Sequence, residues 1–139
     1  MDDPYNLQRF VEAQEPVYER VCAELRRGRK ASHWMWFVFP QFRGLGHSPM
    51  AQKFAVASLE EARAYLNHPI LGPRLRQCTQ LVIDVEGRIV LEIFGHPDDM
   101  KFRSSMTLFS LAAPDDVLFK PALTKYFPAG PDPETVARV

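Results

Sequence analysis

The sequence predicts a mainly α fold, a compact single-domain multi-helix globule with short connections. Three observations carry that expectation. Hydrophobic residues make up 46% of the 139 and charged residues 24%, enough apolar matter for one core of ordinary domain size. Apolar residues recur at helical rather than alternating spacing, most clearly Leu71, Leu75, Cys78, Val82 and Val85. Proline, serine and aspartate fall where helices begin, and glycine where they end. No linker or long repeat interrupts the chain, so residues 1–139 read as one domain.

Taken in order, Leu7, Phe10 and Val11 give a short first helix after Asp3, Pro4 and Asn6. Pro16 suits the first turn of a second helix that lines up Val17, Val21 and Leu25 and stops at Gly28. Trp34 to Phe39 is apolar on every side; with no alternating neighbour to pair with, it reads as a short buried helix capped by Ser32 and ended by Pro40. Ser48-Pro49 opens a helix carrying Met50, Lys53 and Phe54. Ser58-Leu59-Glu60-Glu61 matches a capping box, with Leu59, Ala62, Tyr65 and Leu66 facing inward.

The Leu71–Val85 helix follows, ended by Gly87. Arg88 to Phe94 is a further short segment, strand or helix, stopping at Gly95. Pro97-Asp98-Asp99 places proline and two carboxylates in a first turn, where the N-terminal dipole favours them. Phe102, Met106 and Phe109 share a face of the helix behind. Two helices close the chain, from about Val117 to Phe127 with Pro121 in the first turn, and from Asp132-Pro133 onward.

Charge excludes some functions. Seventeen basic residues balance seventeen acidic ones, whereas a dedicated nucleic-acid binder carries a basic excess that displaces counterions. The Arg26, Arg27, Arg29, Lys30 cluster matches the negative end of the second helix. No apolar run is long enough to cross a bilayer, and the acidic, polar opening Met1-Asp2-Asp3-Pro4 lacks the pattern of a signal peptide. A cytoplasmic location is expected, with no nucleic acid and no membrane among the partners. Cys22 and Cys78 read as two reduced core thiols.

Both tryptophans and three of the ten phenylalanines fall within Ser32–Gly46. Phe94–Phe109 is the second dense stretch and its natural partner. Metal binding is not indicated, since His33, His47, His68 and His96 show no ligand spacing; His68 and His96 precede prolines and read as turn or cap residues. No cofactor motif, nucleophile elbow or P-loop is present.

What remains is a pocket between the two stretches for a small anionic or nucleotide-like ligand. Trp34 and Trp36 would wall it, with Gln41 and the Gly44–Gly46 backbone making polar contacts. The helix start at Ser48-Pro49 would be an anion site. Lys101, Ser104 and Ser105 would hold a phosphate. Asp98 and Asp99 are the candidates for acid–base work should one be desolvated. An interaction module, in which the aromatic stretch is an exposed patch for a protein partner, is the alternative.

The run Ser32-His33-Trp34-Met35-Trp36-Phe37-Val38-Phe39-Pro40-Gln41, with Gly44-Leu45-Gly46, Ser48, His68-Pro69, Leu71-Gly72, Ile93-Phe94-Gly95, Asp98-Asp99, Lys101 and Ser104 to Phe109, resembles the bacterial domain-of-unknown-function 1810 family. Leu7 to Val11 and Gln14 fit the family's start. The resemblance spans nearly the whole chain and implies a compact helical domain with no established activity. The label "calpastatin" that members often carry fits poorly, because such an inhibitor is long, disordered and repetitive. A weaker similarity is to NADAR-type helical domains and their ADP-ribose chemistry, which would imply hydrolysis of a glycosidic bond. Those domains carry Trp-Gly and an Asn where this chain has Phe94-Gly95 and no Asn.

Overall fold

Residues 2–139 of the computed structural model are described, and among them the chain forms ten α-helices and no strand. The order is α1 (Gln8–Gln14), α2 (Tyr18–Arg26), α3 (Met35–Val38), α4 (Pro49–Lys53), α5 (Leu59–Asn67), α6 (Leu71–Ile83), α7 (Val90–Phe94), α8 (Asp98–Ala112), α9 (Phe119–Tyr126) and α10 (Pro133–Arg138). No helix is long and apolar enough to cross a membrane among these residues.

Local chemistry sets most of the boundaries. Gly28, at φ +72°, ends α2 with a double closure: its N–H donates to Leu25 O and the Arg29 N–H to Glu24 O, both at 3.0 Å. That pattern needs a left-handed residue, which glycine supplies without a Cβ penalty. Ser48 Oγ accepts the Ala51 N–H to cap α4, and Ser58 Oγ accepts the Glu61 N–H to cap α5. His68 Nδ1 accepts the N–H groups of Ile70 and Leu71 at the start of α6. The short segment after Arg88 is helical and stops at Gly95, φ +73°.

Several boundaries depart from the sequence reading. Pro16 lies in the turn before α2, whose N-cap is Val17, so it shapes the entry rather than the first turn. Ser32 does not cap α3; Trp34 holds that position, and the Ser32 hydroxyl donates to Glu24 instead. The Glu61 carboxylate reaches back to the Ala57 N–H, one residue before the cap, so the capping box is only half formed. Helix α6 ends at Ile83, ahead of Gly87, and α9 begins at Phe119, leaving Val117 exposed.

Helix α8 sits at the centre. Phe102 and every residue from Ser104 to Ser110 are buried, and α5, α7, α9 and α10 all pack on it. The two aromatic stretches meet here as expected: Phe102 stacks on Phe94 with centroids 4.8 Å apart, and Phe39 stands edge-on to both, at 5.0 Å from Phe102 and 5.9 Å from Phe94. Offset and edge-on aromatic contacts of this kind add to the burial of the rings themselves. Helices α5 and α6 approach closely at Gly72, where a Cβ would fall 2.1 Å from the Leu66 carbonyl oxygen. The loops on either side of α4 are joined by a parallel bridge between Phe42 and Val56, through Arg43 N–H to Val56 O and Val56 N–H to Gln41 O.

Candidate ligand site

Glu24, in the last turn of α2, organises the entry to the aromatic stretch. Its carboxylate accepts the N–H groups of Ala31 and Ser32, the Ser32 hydroxyl at 2.6 Å and the Trp34 indole N–H at 2.9 Å. Burial alone would raise this carboxyl, but the bonds from the Ser32 hydroxyl, the Ala31 N–H, the Trp34 indole and the Ser32 N–H outweigh it and hold the group below its usual value. Trp34 is 1% exposed. Its ring is therefore a core anchor with a satisfied polar edge, and the wall of a ligand pocket it is not.

The next layer is a chain of charges. Lys30 Nζ lies 2.9 Å from Asp98 Oδ2, donates to Ser32 O and sits 5.1 Å from the Trp34 ring centroid. The other Asp98 oxygen faces Lys101 Nζ at 3.6 Å. Lys101 Nζ in turn lies 5.5 Å from the centroid of Trp36, a half-buried ring. Asp99 Oδ1 contacts His96 Nδ1 at 2.9 Å. Asp98 and Asp99, the acid–base candidates, are thus each engaged by a neighbouring cationic or imidazole group, and neither is an isolated desolvated carboxyl.

Beside Lys101 a hollow of about 270 Å³ opens between α8, α10 and the loop before α4. Gln41, Gly46, Lys101 and Ser104 line it, with Met100, Asp132 and Glu134. Ser104 Oγ donates to Asp132 Oδ2 at 2.7 Å, and Thr135 Oγ1 donates to the same oxygen at 2.7 Å. Burial raises the Asp132 carboxyl, yet the bonds from Thr135 and Ser104 and from the Glu134 and Thr135 N–H groups leave it below the usual range. This buried cap of α10 fixes the floor of the hollow.

Four of the nine expected ligand residues therefore converge, and five lie elsewhere. Trp36 borders the site only through Lys101, and Trp34 is core. Ser105 is fully buried on α8, and its hydroxyl has no hydrogen-bond partner. Gly44 takes φ +95° with the Arg138 guanidinium against its open side, and Gly46 packs on Ala51, where a Cβ would lie 2.6 Å from that methyl. Ser48 spends its hydroxyl on its own helix, which is only five residues long. The start of α8 is similarly closed, since the Asp99, Met100 and Lys101 N–H groups donate to Gly95 O and Pro97 O. At each helix start most of the backbone donors are already taken.

The sequence reading missed Asp132 and Glu134, whose only signal was the cap position before Pro133. It also missed a larger apolar hollow of about 680 Å³ between α8 and α9, lined by Leu111, Leu123, Phe127 and the prolines Pro114, Pro128 and Pro131. Prolines clustered on both sides of α9 were the legible hint. Among the described residues no group of three or more His, Cys, Asp and Glu side chains gathers as a metal site would. The buried aromatic stretch forms no flat docking patch: Phe39 is fully buried, and Phe37 and Val38 are nearly so.

Fold and site together define a ten-helix globule, counted over the described residues, with a dry aromatic centre and a small charged cleft at its rim. The chain belongs to the family described as Protein of unknown function (DUF1810), whose model matches residues 4–139. Among solved structures, it is similar to the crystal structure of the conserved hypothetical protein Rv1873 from Mycobacterium tuberculosis, with 58% identity and a TM-score of 0.96. That match covers 97% of this chain and 96% of the other. Comparison with curated proteins finds no match.

Proposed function

We propose that the domain binds a small hydroxyl-bearing ligand with a single anionic group, of the sugar-phosphate or mononucleotide type, in the cleft beside Lys101. The observation that carries this reading is the unequal sharing of Asp98. Lys30 holds that carboxylate at hydrogen-bond distance, 2.9 Å, while Lys101 stands off at 3.6 Å with a quarter of its side chain exposed. Lys101 can turn to an incoming anion without leaving Asp98 unpaired.

Three further features narrow the ligand. Asp98 sits beside Lys101, and Asp132 and Glu134 line the same hollow, so acidic side chains outnumber the one ammonium there, which favours a single anionic group over a polyphosphate. The Glu134 carboxylate and the Gln41 side chain at the rim suit sugar hydroxyls. At about 270 Å³ the hollow is smaller than the roughly 300–1,000 Å³ of sites that enclose a drug-sized molecule, so a dinucleotide would extend past it, toward Trp36. Hydrolysis of a glycosidic bond has less support, because Asp98 and Asp99 are already engaged. The two free thiols are consistent with a cytoplasmic setting.

A thermal-shift titration with ribose 5-phosphate, nucleoside monophosphates and ADP-ribose tests the reading. A ligand present at a hundredfold excess over its Kd stabilises the native state by about 2.7 kcal/mol, a shift of several degrees for a chain of this size. Lys101→Met should remove the shift and leave the unliganded melting temperature in place. A flat response across all three ligand groups, or a Lys101→Met variant that still responds, overturns the proposal.

A further inference from the structure

We propose that Cys22 and Cys78 form a peroxide-reactive dithiol, with Cys22 the thiol that reacts first and Cys78 the one that resolves it. This site lies apart from the cleft and does not depend on it. Helices α2 and α6 pack side by side, and two contacts fix their register: the Tyr18 hydroxyl donates to Gln77 Oε1, and the Arg74 guanidinium carbon lies 4.7 Å from the Tyr18 ring centroid. One turn on from Tyr18 comes Cys22, and next to Gln77 comes Cys78. Gly28, just past α2, lies against Val85, just past α6, so the two helices run parallel and bring Cys22 alongside Cys78; both thiols are free.

The surroundings give the two sulfurs different roles. Cys22 lines an open hollow of about 510 Å³ together with Tyr18, Glu19, Arg26 and Gln77, whereas Cys78 lies behind it at 0% exposure. A small oxidant therefore meets Cys22 first. The hydrogen bond from Cys78 draws the Cys22 thiol below the ordinary thiol value, against burial and with help from the Tyr18 hydroxyl and the Arg26 and Arg74 charges. Cys78 moves the opposite way, raised by its bond to Cys22 and by burial. Cys22 is itself only 4% exposed but borders the hollow, and an acidified thiol at the edge of an opening, backed by a protonated one, is the arrangement of an attacking and a resolving cysteine.

The chemistry balances with a hydroperoxide as the only co-reactant. The Cys22 thiolate attacks one peroxide oxygen, the O–O bond breaks, and the departing hydroxide takes a proton to leave as water. Cys22 becomes a sulfenic acid. The Cys78 sulfur then attacks the Cys22 sulfur, the S–O bond breaks, and the second hydroxide leaves as water with the Cys78 proton. Two thiols and one hydrogen peroxide give one disulfide and two waters.

Hydrogen peroxide is titrated into the reduced full-length chain, the remaining thiols are blocked, and the products are mapped by peptide mass spectrometry. The expected product is an intramolecular Cys22–Cys78 crosslink. Cys78→Ser should stop at a sulfenic acid on Cys22, trapped by dimedone. Without any substitution, brief alkylation of the folded protein should modify Cys22 at least about tenfold faster than Cys78, following thiolate fraction and access. Full recovery of both thiols after peroxide, a crosslink only between chains, or equal alkylation of the two cysteines overturns the proposal.

Discussion

The Trp34 indole N–H donates to Glu24 Oε1 at 2.9 Å, on a carboxylate that also collects two backbone N–H groups and the Ser32 hydroxyl. Every one of these partners is a donor. Replacing Glu24 with Gln turns an acceptor oxygen into a donor NH₂ aimed at donors, and the geometry has no second acceptor to offer them. Glu24→Gln should therefore destabilise the fold by about 1–3 kcal/mol, the cost of leaving buried groups unsatisfied. Urea denaturation would show it as a lower midpoint at unchanged slope.

The same carboxylate makes stability depend on pH, and Asp132 acts with it. Both groups sit below their usual values in the folded chain. In mildly acidic solution the unfolded chain therefore binds more protons than the folded one, and stability rises with pH there. Their contribution is complete above the unfolded carboxylate values, about pH 4–5, and is lost as pH falls through the depressed folded values. Unfolding free energy measured from pH 7 down to pH 3 should decline, and Glu24→Gln should decline less steeply. Parallel curves would show that Glu24 is not a source of the slope.

Adjacent serines on α8 predict opposite outcomes. Ser104 Oγ donates to Asp132, which in turn caps α10, while the Ser105 hydroxyl is buried with no partner. Ser104→Ala removes one donor from a buried carboxylate and should cost roughly 1–3 kcal/mol. Ser105→Ala removes a desolvated group with nothing to lose and should be neutral or stabilising. Chemical denaturation of the two variants side by side decides it, and a costly Ser105→Ala would point to an unseen partner for that hydroxyl.

How much of this was legible in the sequence divides by range. Caps written within a few residues were readable, as at Ser48, Ser58 and His68, because donor and acceptor lie on the same turn. The meeting of the two aromatic stretches was readable too, since so many rings demand one another's company. Its dryness was not, because nothing local says that Glu24 will take the edge of Trp34. Lys125 and Tyr126 show the same limit: from α9 they bond carbonyls at and just past the end of α6, with Lys125 Nζ on Val85 O at 2.7 Å and Tyr126 Oη on Val82 O at 2.6 Å. The cleft was half readable. Gln41, Gly46, Lys101 and Ser104 were expected there, whereas Asp132 and Glu134 arrive from a helix whose docking on α8 no periodicity encodes.

Phe102 tests the centre. It is fully buried and touches Phe39 and Phe94 at 5.0 and 4.8 Å between centroids. Truncation to alanine loses the transfer free energy of the ring and leaves a cavity among Phe39, Phe94 and Phe127 that their fixed rings cannot close. Phe102→Ala should cost about 3–5 kcal/mol, a large share of the 5–15 kcal/mol typical of a domain. Phe102→Leu, which keeps much of the volume, should recover part of it. Equal losses in the two variants would mean that ring geometry, not filled volume, is what the core requires.

Arg9 carries a load that no sequence pattern announced. Its guanidinium donates to the carbonyls of Lys53 at 2.8 Å, Tyr5 at 2.6 Å, Asn6 at 2.8 Å and Ala55 at 2.9 Å, and pairs with Glu61 at 3.1 Å. It thereby ties the chain before α1 to the loop between α4 and α5. The side chain of Glu61 is only 5% exposed, so removing its partner strands a buried carboxylate. Arg9→Met should destabilise by about 3–5 kcal/mol. Arg9→Lys keeps the charge and loses the planar fork that serves several carbonyls at once, so it should recover only part of the loss. In a double-mutant cycle with Glu61→Gln, the two changes should cost less together than the sum of each alone, because the second no longer leaves a charge unpaired. Strict additivity would show that Arg9 acts through the carbonyls and that the ion pair contributes nothing.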